Sequence, residues 1–191
     1  MATILAFAGS SRKESYNKKL VRIAAAGASE DGASVTLIDL ADYPMPIFNQ
    51  DLERDQGMPE NARAFKNLLI DHDAFLIASP EYNSAFSPLL KNAIDWASRA
   101  EIEDEPPLLA YRGKYAAIMA ASPGALGGLR GLVFLRMLLA NLGVTVLPNQ
   151  QAVRHAHNAF KDNGSMIDEK QESLVMKLGS QLNQVVSRLT G

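Results

Sequence analysis

Short apolar runs of strand length alternate with helix-length amphipathic segments from one end of this chain to the other, and that alternation leaves few folds open. Strand, helix and strand in succession make a parallel pair. The pattern therefore predicts an α/β domain of three layers, with one parallel sheet between helices on both faces. Strands are expected at 3–8, 34–39, 73–79, 114–121 and 143–147. Helices are expected at 16–28, 60–71, 87–99 and 128–141, with a last one at 168–189 whose Leu174, Leu178, Leu182, Val185 and Leu189 share one face. These elements use the 191 residues as a single domain, 1–191, with no repeat or linker. The stretches 43–59 and 101–107, rich in Pro, Asp and Glu, are expected to be loops. Two strand orders are common for such sheets, and five strands favour 2-1-3-4-5 over the six-stranded order built for dinucleotides. Ligands then bind beyond the carboxyl ends of strands 1, 3 and 4, where the winding direction reverses.

The loops at those three ends are unusual. Gly9-Ser10-Ser11-Arg12-Lys13-Glu14-Ser15-Tyr16-Asn17 leads from the first strand into a helix N-terminus, where free N–H groups and the positive end of the helix dipole collect. Ser10, Ser11, Ser15, Arg12 and Asn17 add donors on every side, a set that suits a phosphomonoester dianion. The competing reading is a capped helix with a solvated basic loop. After the third strand, Pro80 to Phe86 is expected to be a loop that offers a turned backbone, the Tyr82 ring and the Asn83 amide, which suits a flat heteroaromatic ring. Ser87-Pro88 then caps and starts the next helix. After the fourth strand, the glycines of Ser122 to Gly131 permit close backbone approach.

Composition removes whole classes of function. A net charge of −2 with 21% charged residues provides no basic field for nucleic acid or an anionic membrane, so small molecules and other copies of the chain are the expected partners. With no cysteine, disulfides, thiolate metal sites and cysteine nucleophiles are excluded. The absence of cysteine fits a cytoplasmic protein, and neither a secretory leader nor a membrane span is expected. A dinucleotide-binding GxGxxG, with Asp39 as ribose ligand, fails because Ser11 and Glu14 occupy glycine positions; GxxxxGK[ST] is absent as well. A receiver domain lacks its acidic residue at Ile77-Ala78-Ser79. His155 and His157 are expected at the surface or the site's edge rather than on a metal. Met119 and Met137 are expected in the core, the acidic run 101–107 in solvent, and Trp96 either in the core or at an interface.

Three motifs, GSSRKESYN at 9–17, PEYNSAFSPLLKNAIDW at 80–96 and SPGALGGLRG at 122–131, with a weaker HNAFKDNG at 157–164, resemble the NAD(P)H-dependent FMN reductases. That family is flavodoxin-like and includes chromate, quinone and azo reductases. The resemblance implies that Ser10, Arg12, Ser15, Tyr16 and Asn17 hold the FMN phosphate end. Pro80, Glu81, Tyr82 and Asn83 would line the isoalloxazine ring, partly through backbone groups, and Ser122 and Gly124 would sit at its other side. NADH or NADPH would deliver hydride to FMN, and a quinone, free flavin, azo dye or oxidised metal ion would then take the electrons in ping-pong turnover, with no general acid or base named. Arg12, Lys13, Arg99, Arg112 and Arg130 are candidates for selecting the nicotinamide cofactor. A homodimer or homotetramer is implied, with the helix at 87–99 in a contact that closes the flavin site. Ser84, Ala85, Ser87 and Pro88 stand where the family often has Gly, Ser, Pro and Gly, which bears on the shape of the nicotinamide entrance. The alternative from another class is an FMN-binding electron carrier or regulatory flavoprotein without NAD(P)H turnover.

Overall fold

The structure, a computed structural model, describes residues 1–190. The central strands β1 (Thr3–Ala8), β3 (Ala74–Ala78) and β6 (Tyr115–Ala121) are almost wholly buried runs, as expected of a sheet covered on both faces. With β2 (Ser34–Leu37) and β7 (Thr145–Val146) they form a parallel sheet in the order β2-β1-β3-β6-β7, which is the 2-1-3-4-5 order. Registers such as Ala8 beside Ala78 and Ala78 beside Met119 bring the carboxyl ends of the three central strands level.

Alternation along each strand divides the core in two. Ile4, Ala6 and Ala8 face α1 (Tyr16–Glu30) and α6 (Glu169–Thr190), while Leu5 and Phe7 face α3 (Glu60–Asp71), α4 (Pro88–Ala97) and α5 (Leu129–Asn141). The buried face of α6 runs through Val175, Leu178, Leu182 and Val186, whereas Leu174 and Leu189 are exposed. Leu178 and Leu182 are buried as expected, and packing against α1 turns the rest of the face so that Val175 and Val186 are covered in place of Leu174 and Val185.

Other expectations are corrected. The fifth strand position holds two pieces. β7 pairs with Tyr115 and Ala116, and β8 (Gln151–Val153) pairs with Met119 to Ala121. Pro148, which has no N–H for the ladder, stands in the gap. Arg136 of α5 takes up the gap's carbonyls, donating to Leu147 O at 2.7 Å and Val146 O at 3.2 Å. Within 43–59 the chain forms α2 (Gln50–Gln56), capped by the Asn49 side chain on Asp51 N; it buries no residue, so no apolar period marks it. Pro80 to Phe86 is not an open loop but contains a hairpin, β4 (Glu81–Tyr82) and β5 (Ala85–Phe86). Trp96 belongs to the core, where its indole donates to Pro46 O at 2.8 Å and meets the edge of Phe48. Met119 is buried as expected, but Met137 is 56% exposed. The acidic run is a largely exposed loop as expected, but two of its carboxylates are engaged: Glu105 Oε1 lies 2.5 Å from the buried Lys66 Nζ, and Glu101 pairs with Arg63. No helix among the described residues is long and apolar enough to cross a membrane.

Candidate functional site

The first loop leaves β1 at Gly9, whose N–H extends the sheet to Ala78 O at 2.8 Å. Ser87 fastens it: its hydroxyl donates to Gly9 O at 2.6 Å and accepts from Leu90 N at 3.2 Å, so one side chain both holds the loop and caps α4. A Cβ at Gly9 would lie 2.9 Å from Leu90 Cβ, so only glycine allows this approach.

At the other end of the loop Ser15 is the N-cap of α1, in extended backbone, yet its hydroxyl caps nothing. The residue is 3% exposed, and its hydroxyl makes no cap hydrogen bond to the helix. The first amide of the helix to find a backbone acceptor is Lys19 N, on Ser15 O at 3.1 Å. The N–H groups of Tyr16, Asn17 and Lys18 thus end the helix unpaired among the described residues, on the positive side of its dipole. Arg12 leans over the Tyr16 ring, its guanidinium carbon 4.9 Å from the centroid, and donates to Glu14 O. Tyr16 also stacks on Phe160, with centroids 6.0 Å apart.

Asn17 is already occupied. Its amide donates to Ala121 O and accepts from Ala121 N, both at 2.9 Å, bracing the start of α1 against the end of β6. Only its backbone N–H remains for a ligand. Lys18 is likewise engaged, with Nζ 2.5 Å from Asp39 Oδ2. Burial works to raise the Asp39 carboxyl, but the hydrogen bonds from Lys18 and the Ala41 N–H outweigh it and hold the group below the ordinary carboxylate range. Asp39 thereby also caps the short 3-10 turn at Leu40–Asp42.

A cavity of about 190 Å³ lies at the carboxyl ends of β1, β3 and β6. Ser10, Arg12, Ser15, Tyr16 and Asn17 line it from the first loop, Pro80, Glu81 and Tyr82 from the hairpin, and Ala121, Ser122 and Pro123 from the third segment. Nine of the residues expected from sequence meet there. Asn83 and Gly124 lie outside the lining: Asn83 sits in the hairpin's turn, and Gly124 O accepts from His155 N at 3.3 Å. Of the candidate cations, Arg99 is turned away, donating to Glu53 at 2.8 Å across the Phe48 ring, whereas Arg12 lines the cavity. Phe160 was missed as a support of the site, because a phenylalanine in a polar loop carries no signal until its stacking partner is known.

The donor set matches FMN. The unpaired amides of Tyr16 and Asn17, the Ser15 hydroxyl and the Arg12 guanidinium are donors suited to a phosphate, and Pro80 to Tyr82 and Ser122 line the same cavity.

Residues 2–158 match the family described as NADPH-dependent FMN reductase. The chain belongs to that family. Over 189 residues it is 36% identical to the NAD(P)H-dependent FMN reductase of Pseudomonas aeruginosa, covering 98% of this chain and 97% of the relative. It is 37% identical over 163 residues to 2-hydroxy-1,4-benzoquinone reductase of a Burkholderia species, 84% and 83% of the two chains. Among solved structures, FerB, a flavoenzyme NAD(P)H:(acceptor) oxidoreductase of Paracoccus denitrificans, superposes with a TM-score of 0.81 at 27% identity, over 98% of each chain. A flavodoxin from the Archaea superposes with a TM-score of 0.64 at 12% identity, over 98% of this chain and 99% of that one, a likeness of fold alone. As a family member, this flavodoxin-like chain is an oxidoreductase that works with FMN and NAD(P)H.

Proposed function

We propose that the cavity at the ends of β1, β3 and β6 holds FMN, with its phosphate on the α1 N-terminus and its ring against the hairpin. The observation that carries this reading is a nearly buried Ser15 with an unpartnered hydroxyl, beside the unpaired helix amides of Tyr16 and Asn17, in the lining of one cavity with Pro80 to Tyr82. Ser15 and the amides of Tyr16, Asn17 and Lys18 donate to the phosphate oxygens, and Arg12, steadied over Tyr16, supplies the charge. Bound FMN accepts hydride from NAD(P)H and passes the electrons on. The chain's own tasks are to fix the phosphate, to present backbone groups to the ring edge, and to leave one ring face open at Tyr82, which is 57% exposed. A quinone acceptor is favoured by the relative named as a benzoquinone reductase; free flavin, azo dyes and oxidised metal ions remain in the acceptor class. A cytoplasmic location, with NAD(P)H at hand, belongs to the same reading.

A homodimer or homotetramer is part of the proposal. The outer face of α5 exposes Leu129, Val133, Phe134 and Met137 at helical spacing, whereas the outer face of α4 carries the Lys91–Asp95 ion pair. The apolar stripe on α5 favours that helix for the self-contact over the charged face of the helix at 87–99. Two measurements test the whole reading. Purified protein titrated with FMN should quench flavin fluorescence at one site per chain, and NADPH or NADH should bleach the bound flavin anaerobically until a quinone restores its colour. Flavin that binds and is not bleached would leave only the electron-carrier reading.

A further inference from the structure

Glu81 lines the cavity, yet its carboxylate is committed elsewhere. Helix α5 begins at an N-cap, Gly128, that has a φ of 90° and no side chain to cap with. The missing cap comes from the hairpin: Glu81 Oε2 accepts from Gly131 N at 3.1 Å, fifty residues away in sequence. An anion there also meets the positive end of the α5 dipole. Backbone packing makes the same contact intimate, since a Cβ on Gly131 would lie 3.1 Å from Ala85 O and 3.5 Å from Glu81 Cβ.

The hairpin depends on such a tie. Each of its strands is two residues long, and both turn residues, Asn83 at φ 51° and Ser84 at φ 70°, are left-handed without being glycine. Two-stranded hairpins are marginal alone, and although Asn83 suits a left-handed turn position, Ser84 there adds strain. Its shape must be imposed from outside.

We propose that Glu81 is a positioning residue: by capping α5 from the hairpin it fixes the backbone of Pro80 to Tyr82 that faces the flavin ring. The role in flavin binding rests on the FMN reading above, while the tie itself does not.

The test separates the two. Wild type, E81Q, E81D and E81A are compared by amide hydrogen exchange without flavin and by FMN titration. E81A should lose protection at Gly131 and across 81–86, and should bind FMN about tenfold or more weakly. E81D, one methylene too short to reach Gly131, should behave as E81A does. E81Q keeps an oxygen acceptor without the charge, so it should keep the protection and lose no more than about fivefold in affinity. Unchanged Gly131 protection in both E81A and E81D would overturn the proposal. So would an E81Q that keeps protection but binds FMN as poorly as E81A, because the carboxylate would then act on the ligand directly. If wild type takes no FMN, the cofactor reading fails and exchange in the flavin-free protein decides on the tie alone.

Discussion

At the scale of single residues, a side chain's type says what it can bind, and only the fold says what it has already bound. Asn17 sits in a motif suited to phosphate, but both ends of its amide are spent on Ala121. Asn17→Ala should therefore lower stability by about 2–3 kcal/mol even without flavin, since it orphans a buried N–H and C=O. Urea unfolding of flavin-free protein measures this, and an unchanged midpoint would mean that Asn17 serves the ligand alone. Ser84 makes the opposite case, because its left-handed φ of 70° costs energy that glycine would not pay. Ser84→Gly should stabilise the chain by about 0.5–1 kcal/mol, the relief being partly offset by a floppier unfolded state. The same urea series reads it as a higher midpoint at unchanged slope. The site's residue types were legible in the sequence, whereas the engagements of Asn17, Lys18 and Glu81 were not, because each partner lies 21 or more residues away.

At the scale of elements, legibility followed burial. β1, β3, β6, α1, α3, α4 and α5 each set apolar residues into one of the two cores, so their periods or runs stand out in the sequence. Where the core is not touched, the period is lost: α2 buries nothing, β4 and β5 are too short to show alternation, and Pro148 divides the last strand. The segment 98–107 illustrates how charge can do what apolar contact does elsewhere. Lys66, 1% exposed, donates to Arg99 O at 2.8 Å and to Glu105 at 2.5 Å, pinning this irregular stretch onto α3. Removing one partner leaves the other charge poorly solvated, so Lys66→Ala should cost about 3–5 kcal/mol by chemical unfolding. Acid should act on the same link. Burial works to raise Glu105, but Lys66 and the Glu101 N–H outweigh it and hold the carboxyl below its ordinary value. A carboxyl lowered in the folded state stabilises above its unfolded pKa of about 4.3, and that contribution fades as the pH drops through the folded value. Glu105→Gln should thus flatten the fall in stability between pH 5 and acid pH, and a fall as steep as in wild type would assign the acid response to other carboxyls such as Asp39 and Asp73.

At the scale of the whole molecule, α5 belongs to two surfaces at once. Its inner residues Leu132, Leu135 and Leu139 fill the core beside β6, its first turn holds the hairpin through Gly131 and Glu81, and its outer residues Val133 and Met137, 60% and 56% exposed, meet solvent. A second copy seated on that outer face would press on the helix that is tied to Glu81 in the cavity lining. Two ends of one rigid element then share a free energy, and coupling of this kind is reciprocal. Met137→Glu should shift the protein to monomers in sedimentation velocity by placing a charge in the apolar stripe, and should weaken FMN binding although Met137 does not line the cavity. In the other direction, saturating FMN should tighten wild-type self-association about fivefold or more, at the lower end of typical coupling energies. Sedimentation equilibrium at several loading concentrations, with and without FMN, gives both dissociation constants. Equal constants would uncouple the α5 contact from the cavity while leaving the flavin site itself standing. A tighter oligomer with FMN that reverts in Glu81→Ala would run the coupling through the carboxylate on Gly131.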